Sequence, residues 1–196
     1  MRVTVLYFSN TGKTETVAAE LAKQLDAEQL RIRCNAYSGS LGGVRKAWDV
    51  LVRGRPPIEL EPLIDARELI VVGGPVWDSQ AAPPILSALR RLRGKSARVA
   101  LFVTCEGRIP TSPPEPALQE MARAFGLPVL NTRVFRRDEL KSGAFKEGAT
   151  SFVNEMKLLM RLTPSARGRS TQGDLYQDYG HAPSARKGRH EFGVEA

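Results

Sequence analysis

Histidine is nearly missing from this chain. Both copies, His181 and His190, fall close to the C-terminus, so the body has no imidazole for acid–base catalysis or metal binding. That absence argues against hydrolases of the Ser-His-Asp and Cys-His kinds. The acidic residues are scattered rather than paired in a motif. The two cysteines, Cys34 and Cys105, have neither metal-ligand spacing nor the density of a disulfide framework, and they suit a reducing cytoplasm. A phosphatase-type loop, in which arginine follows cysteine after five residues, is excluded because Thr111 stands at the arginine position. No apolar run approaches the ~18 residues that would span a bilayer. The N-terminus passes at once into an apolar run, so no cleavable leader and a cytoplasmic location are expected.

What is present is an α/β pattern. The chain has 196 residues, 42% of them hydrophobic, enough for one substantial core. Strands are predicted at 3–8, 31–37, 68–72, 98–104 and 127–135. Helices are predicted after residue 14, at 44–52 (Val44, Ala47, Trp48, Leu51, Val52), after Pro83-Pro84, at 113–125 and at 139–161. Five strands with intervening helices imply a parallel, doubly wound sheet with helices on both faces. The domain is expected to span residues 1–162. From Thr163 apolar residues thin out, and 163–196 reads as a basic, disordered tail. Five basic residues (Arg167, Arg169, Arg186, Lys187, Arg189) against four acidic ones (Asp174, Asp178, Glu191, Glu195) give the tail +1 of the formal +8. That leaves +7 on the body.

The turn between the first strand and the first helix reads Ser9, Asn10, Thr11, Gly12, Lys13, Thr14. Hydroxyls, a glycine and the free amides of a helix start make a cradle for an anion. The same residues also suit a simple N-capped helix. A Walker A loop is excluded because its first glycine would fall on Tyr7, and the dinucleotide pattern G-x-G-x-x-G is missing too. After the third strand comes Gly73, Gly74, Pro75, Val76, Trp77, Asp78, Ser79. The carboxyl end of a strand in an open α/β sheet faces the ligand crevice, and a tryptophan there offers a stacking surface for a flat heteroaromatic. Alternatively, Trp77 is a packing residue at a turn.

Together these two segments resemble the phosphate loop, [ST]-x-T-G-x-T, and the G-x-P-V-aromatic loop of flavodoxin-like FMN proteins. The resemblance covers residues 2–162. It implies strand order 2-1-3-4-5, FMN phosphate held by Ser9, Asn10, Thr11, Gly12, Lys13 and Thr14, and the flavin ring bounded by Pro75, Val76, Trp77, Asp78 and Ser79. The loop after the fourth strand, Thr104, Cys105, Glu106, Gly107 and Arg108, would complete the pocket. Gly39 to Val44 and Trp48 also resemble a turn and helix found in some members.

Two features depart from the family's electron carriers. Those are usually acidic, whereas this body is basic, and they commonly sandwich the flavin between two aromatics, whereas residues 104–110 contain none. One flavin face would then be open to a nicotinamide or quinone, with Arg108 as the candidate catalytic residue that stabilises the reduced ring. The favoured expectation is an FMN-dependent NAD(P)H oxidoreductase reducing a quinone or flavin-type acceptor, with FMN as cofactor and NAD(P)H as donor. A flavodoxin-type electron carrier and a non-catalytic binding module are the alternatives. Partners are expected to be a small-molecule or protein redox partner, and the chain is free to form homo-oligomers. Nucleic acid is not the expected partner: the basic runs Arg90-Arg91-Leu92-Arg93 and Arg133 to Arg137 read first as solvated faces.

Overall fold

The computed structural model describes residues 2–37, 43, 49, 54–59, 69–93, 98–106 and 113–162. The expected helix at 44–52, the turn at 39–44, and the tail at 163–196 lie outside these, apart from single positions. The strands are β1 (Val3–Tyr7), β2 (Glu28–Arg31), β3 (Leu69–Trp77), a short β4 (Gln80–Ala81), β5 (Arg98–Cys105) and β6 (Thr132–Arg136). The helices are α1 (Lys13–Leu25), α2 (Pro83–Leu92), α3 (Glu115–Phe125), α4 (Arg137–Ser142) and α5 (Phe145–Leu162). The main strands are parallel and ordered β2-β1-β3-β5-β6, with β4 folded back antiparallel on β3. Leaving out that short return strand, this is the expected 2-1-3-4-5 order.

The period of two along each central strand divides its side chains between two cores. Leu6, Ile70, Val72, Val99, Leu101 and Val103 meet α2 and α3 through Ile85, Leu89 and Met121. Val3, Val5, Val71, Ala100 and Phe102 meet α1 and α5 through Val17, Leu21, Phe152 and Val153. Both faces of the sheet are therefore covered, which is why β3 and β5 read as continuous apolar runs.

The larger departures from expectation each have a local reason. The second strand is 28–31 rather than 31–37. Its ladder with β1 runs from Thr4↔Glu28 to Tyr7↔Arg31 and stops where β1 stops. Ile32 donates to the Tyr7 carbonyl at 2.7 Å, and Asn35–Tyr37 closes into a 3-10 turn. The third strand continues past Val72 to Trp77 because β5 pairs alongside it as far as Pro75↔Thr104. The glycines serve that pairing: a Cβ on Gly73 would lie 2.0 Å from the Phe102 ring, and one on Gly74 would lie 2.5 Å from Ile85. The last strand begins at Thr132 rather than at 127, since Leu130 and Asn131 each exchange only one hydrogen bond with β5. The final helix is two, broken at Gly143 with φ 84°.

One arginine of each basic run packs into the fold. Arg93 donates to the carbonyls of Ala124 and Arg123 at 2.8 and 2.9 Å, closing the C-terminus of α3. Arg133 lies 5.6 Å over the Phe135 ring and pairs with Glu139 at 3.3 Å.

Candidate functional site

Strand order reverses between β1 and β3: β1 is followed by a neighbour on one side and β3 by one on the other. A crevice opens at the carboxyl ends of the strands at such a point. There the structure places a cleft of about 140 Å³ lined by Asn10, Thr11, Lys13 and Thr14 after β1, by Pro75, Val76 and Trp77 at the end of β3, and by Thr104, Cys105 and Glu106 at the end of β5. Arg137 and Leu140 of α4 complete it. Three segments far apart in sequence therefore meet as expected.

The phosphate-loop segment is shaped by its own polar groups. The Gly12 amide donates to Ser9 Oγ at 3.0 Å, and Gly12 takes φ 86°, a left-handed backbone that suits a residue without Cβ. Ser9 is buried, accepts from the Gly12 amide and is not among the residues that line the cleft. Among the described residues no side chain caps α1, so its first-turn amides are donors at the positive end of the helix. Thr14 Oγ1 is hydrogen bonded to Thr104 Oγ1 at 2.7 Å in a buried contact that ties the loop to β5. Behind the loop, Arg31 donates to the Ser9 carbonyl at 3.2 Å and lies 3.8 Å from Glu15. Glu15 accepts from the Tyr7 hydroxyl at 3.1 Å, and burial together with that carboxylate pushes the Tyr7 phenol above its ordinary pKa.

Trp77 is presented by a hairpin. Asp78 and Ser79 both have positive φ, 49° and 60°, as the two-residue turn between Trp77↔Gln80 requires. They form the turn next to the cleft and are not among the residues that line it. Glu120 of α3 accepts from the Ala81 amide at 3.1 Å and anchors the hairpin. The Trp77 ring meets Phe8 edge-on at 5.8 Å and Tyr37 at 6.2 Å, a cluster that fixes its plane. Trp77 is thus both a packing residue and a wall of the cleft.

The electrostatics centre on Glu106. It accepts from Lys13 and, at 2.9 Å, from Arg137. The Lys13 hydrogen bond, supported by Arg137, holds its carboxyl below the ordinary carboxylate pKa. Gly107 and Arg108, the latter the expected catalytic residue, lie outside the described residues. Arg137 and Leu140 were not expected: they follow β6, far from either motif, and only tertiary structure brings them to the cleft. Among the described residues no His, Cys, Asp and Glu group could hold a metal ion, and no helix is long and apolar enough to cross a membrane.

In sequence, neither a protein-family model nor a curated protein matches the chain. In structure, it is similar to a flavoprotein of Lactobacillus acidophilus NCFM solved in complex with FMN. That match has TM-score 0.58 and 21% identity, over 72% of this chain and 97% of that one. The apo form of the flavoprotein from the same organism aligns with TM-score 0.55 and 22% identity, over 71% of this chain and 95% of that one. Oxidised flavodoxin 1 of Bacillus cereus aligns with TM-score 0.51 and 15% identity, over 81% of this chain and 98% of that one. The fold is flavodoxin-like.

Proposed function

We propose that this flavodoxin-fold protein binds FMN and uses it for redox chemistry as an NAD(P)H-dependent oxidoreductase with a quinone or flavin-type acceptor. One observation carries the FMN part: Thr11 and the first-turn residues Lys13 and Thr14 of α1, where no described side chain caps the helix, line the same cleft as a tryptophan packed against Phe8 and Tyr37. A ligand that joins an anion to a flat ring uses both halves. The FMN complex of the Lactobacillus flavoprotein supports the same reading.

The residues present fit the group. Thr11, Lys13, Thr14 and the α1 amides would hold the phosphate, while Pro75, Val76, Trp77 and Cys105 would bound the ring. When bound, FMN supplies reversible electron and hydride acceptance at its ring. The protein's own groups do the rest. The α1 dipole and hydroxyls fix the phosphate, the anchored hairpin holds the Trp77 wall, and Lys13 and Arg137 favour negative charge in the cleft. The oxidoreductase part rests on the basic body and on the lack of an aromatic in residues 104–110, where the sequence supplies no second ring to stack on a flavin.

Anaerobic addition of NADPH to the FMN-loaded protein tests it. Rapid loss of the oxidised-flavin absorbance is the expected result. A bound flavin that stays oxidised with NADPH and with NADH contradicts the oxidoreductase part and leaves an electron carrier.

A further inference from the structure

Tyr7 and Arg31 end β1 and β2 and stand opposite each other in the parallel ladder. Residues paired in this way put their side chains on one face of the sheet, and Tyr7 belongs to the core on the α1 side. Arg31 therefore emerges beside the start of α1. Its Nη2 donates to the Ser9 carbonyl at 3.2 Å, and its Nη1 lies 3.8 Å from Glu15 in the first turn of α1. Glu15 in turn accepts from the Tyr7 hydroxyl at 3.1 Å. No described peptide bond is cis, so the Ser9 carbonyl and the Asn10 amide, which share one peptide, point in opposite directions. With the carbonyl tied toward β2, the Asn10 amide is turned away from that strand, and Asn10 lines the cleft. Among the described residues nothing accepts from that amide. The Ser9 side chain is fixed as well, since its Oγ accepts from the Gly12 amide at 3.0 Å.

We propose that Arg31 is a positioning residue: by holding the Ser9 carbonyl it orients the Ser9–Asn10 peptide so that the Asn10 amide donates to the phosphate of the bound flavin nucleotide. This role rests on the FMN reading. Arg31 is not among the residues that line the cleft, and it acts through the backbone of the loop. Two other roles for the same arginine depend on charge alone: neutralising Glu15, or drawing the phosphate in from a distance. Removing Glu15 together with Arg31 leaves the local charge balanced, so it cancels both of those effects. It does not give the Ser9 carbonyl its donor back.

The experiment is a titration of the apoprotein with FMN and with riboflavin in wild type, R31M, E15Q and the R31M/E15Q double variant, followed by flavin fluorescence. R31M is expected to weaken FMN about tenfold, the size of one hydrogen bond from a charged group, while riboflavin stays within about twofold of wild type. E15Q keeps an acceptor for Tyr7 and binds FMN at least as tightly as wild type. R31M/E15Q stays about tenfold weaker for FMN than E15Q, because the cycle removes the charge effects and leaves the lost donor. No loss in R31M, a loss shared equally by FMN and riboflavin, or recovery in the double variant overturns the positioning role and leaves the FMN reading intact. A wild type that binds FMN no more tightly than riboflavin overturns both.

Discussion

At the scale of single residues, two side chains stand out against the physics around them. Thr4 in the middle of β1 is fully buried, and its Oγ1 has no hydrogen-bond partner among the described residues. A hydroxyl buried in that way costs stability that a methyl of the same shape does not. Thr4→Val is expected to raise stability by about 1 kcal/mol, or roughly 2–4 °C in Tm. A lower Tm would mean that the hydroxyl is satisfied in solution. Glu106 is the other. Its carboxylate neutralises the two cations nearest the cleft at the cost of the field an incoming phosphate would meet. Glu106→Gln is expected to tighten FMN binding about two- to fivefold, the size of an exposed ion pair. The folded pKa of Glu106 lies below its ordinary value, so its pairs stabilise the native state above that value and are lost as pH falls through the depressed one. Wild type should therefore be more stable than Glu106→Gln at neutral pH, with the gap closing on acidification. Urea unfolding at both ends of that range measures it.

At the scale of elements, the hairpin carrying Trp77 is strained where a glycine would not be. Ser79 at φ 60° occupies the second turn position, which favours glycine. Ser79→Gly is expected to stabilise the protein by about 1 kcal/mol, with flavin affinity unchanged because Ser79 does not line the cleft. Weakened flavin binding in that variant would show that the serine touches the ligand. This turn also marks how far sequence can be read. The two loop motifs were legible because hydroxyls and glycines act within a few residues of one another. The continuation of β3 through Gly73 to Trp77 was not, because it depends on β5 running alongside, and the need for glycine comes from Phe102 on that neighbouring strand. Likewise, Glu28–Arg31 is a polar edge strand whose pairing is set by β1. Ile32 and Cys34 fall within the strand expected at 31–37, yet they are buried between β2 and the 3-10 turn that follows it.

At the scale of the whole molecule, the doubly wound sheet decides where the site is. Alternation of apolar strands and helices was enough to anticipate the parallel sheet and its two covered faces. The reversal of strand order then brings the end of β1 beside the end of β3. Arg137 and Leu140 reach the cleft only through that architecture, since no local pattern relates the helix after β6 to the phosphate loop after β1. A ligand bound at the junction of β1, β3 and β5 stabilises the whole domain, because it binds the folded state alone. FMN at a hundredfold excess over Kd contributes about 2.7 kcal/mol, which for a domain of this size corresponds to roughly 5–10 °C in Tm. Absence of any thermal shift at saturating FMN would place the flavin elsewhere or nowhere.

If the α1 amides and the Thr11, Lys13 and Thr14 side chains hold a phosphate whose attached ring lies along Trp77, titration of the apoprotein with FMN and with riboflavin, followed by flavin fluorescence, separates the two ligands. FMN is expected to bind with its fluorescence changed by the nearby indole, and riboflavin, lacking the phosphate, to bind about a hundredfold more weakly. Equal affinities for the two, or no binding of FMN, would contradict this placement of the ligand.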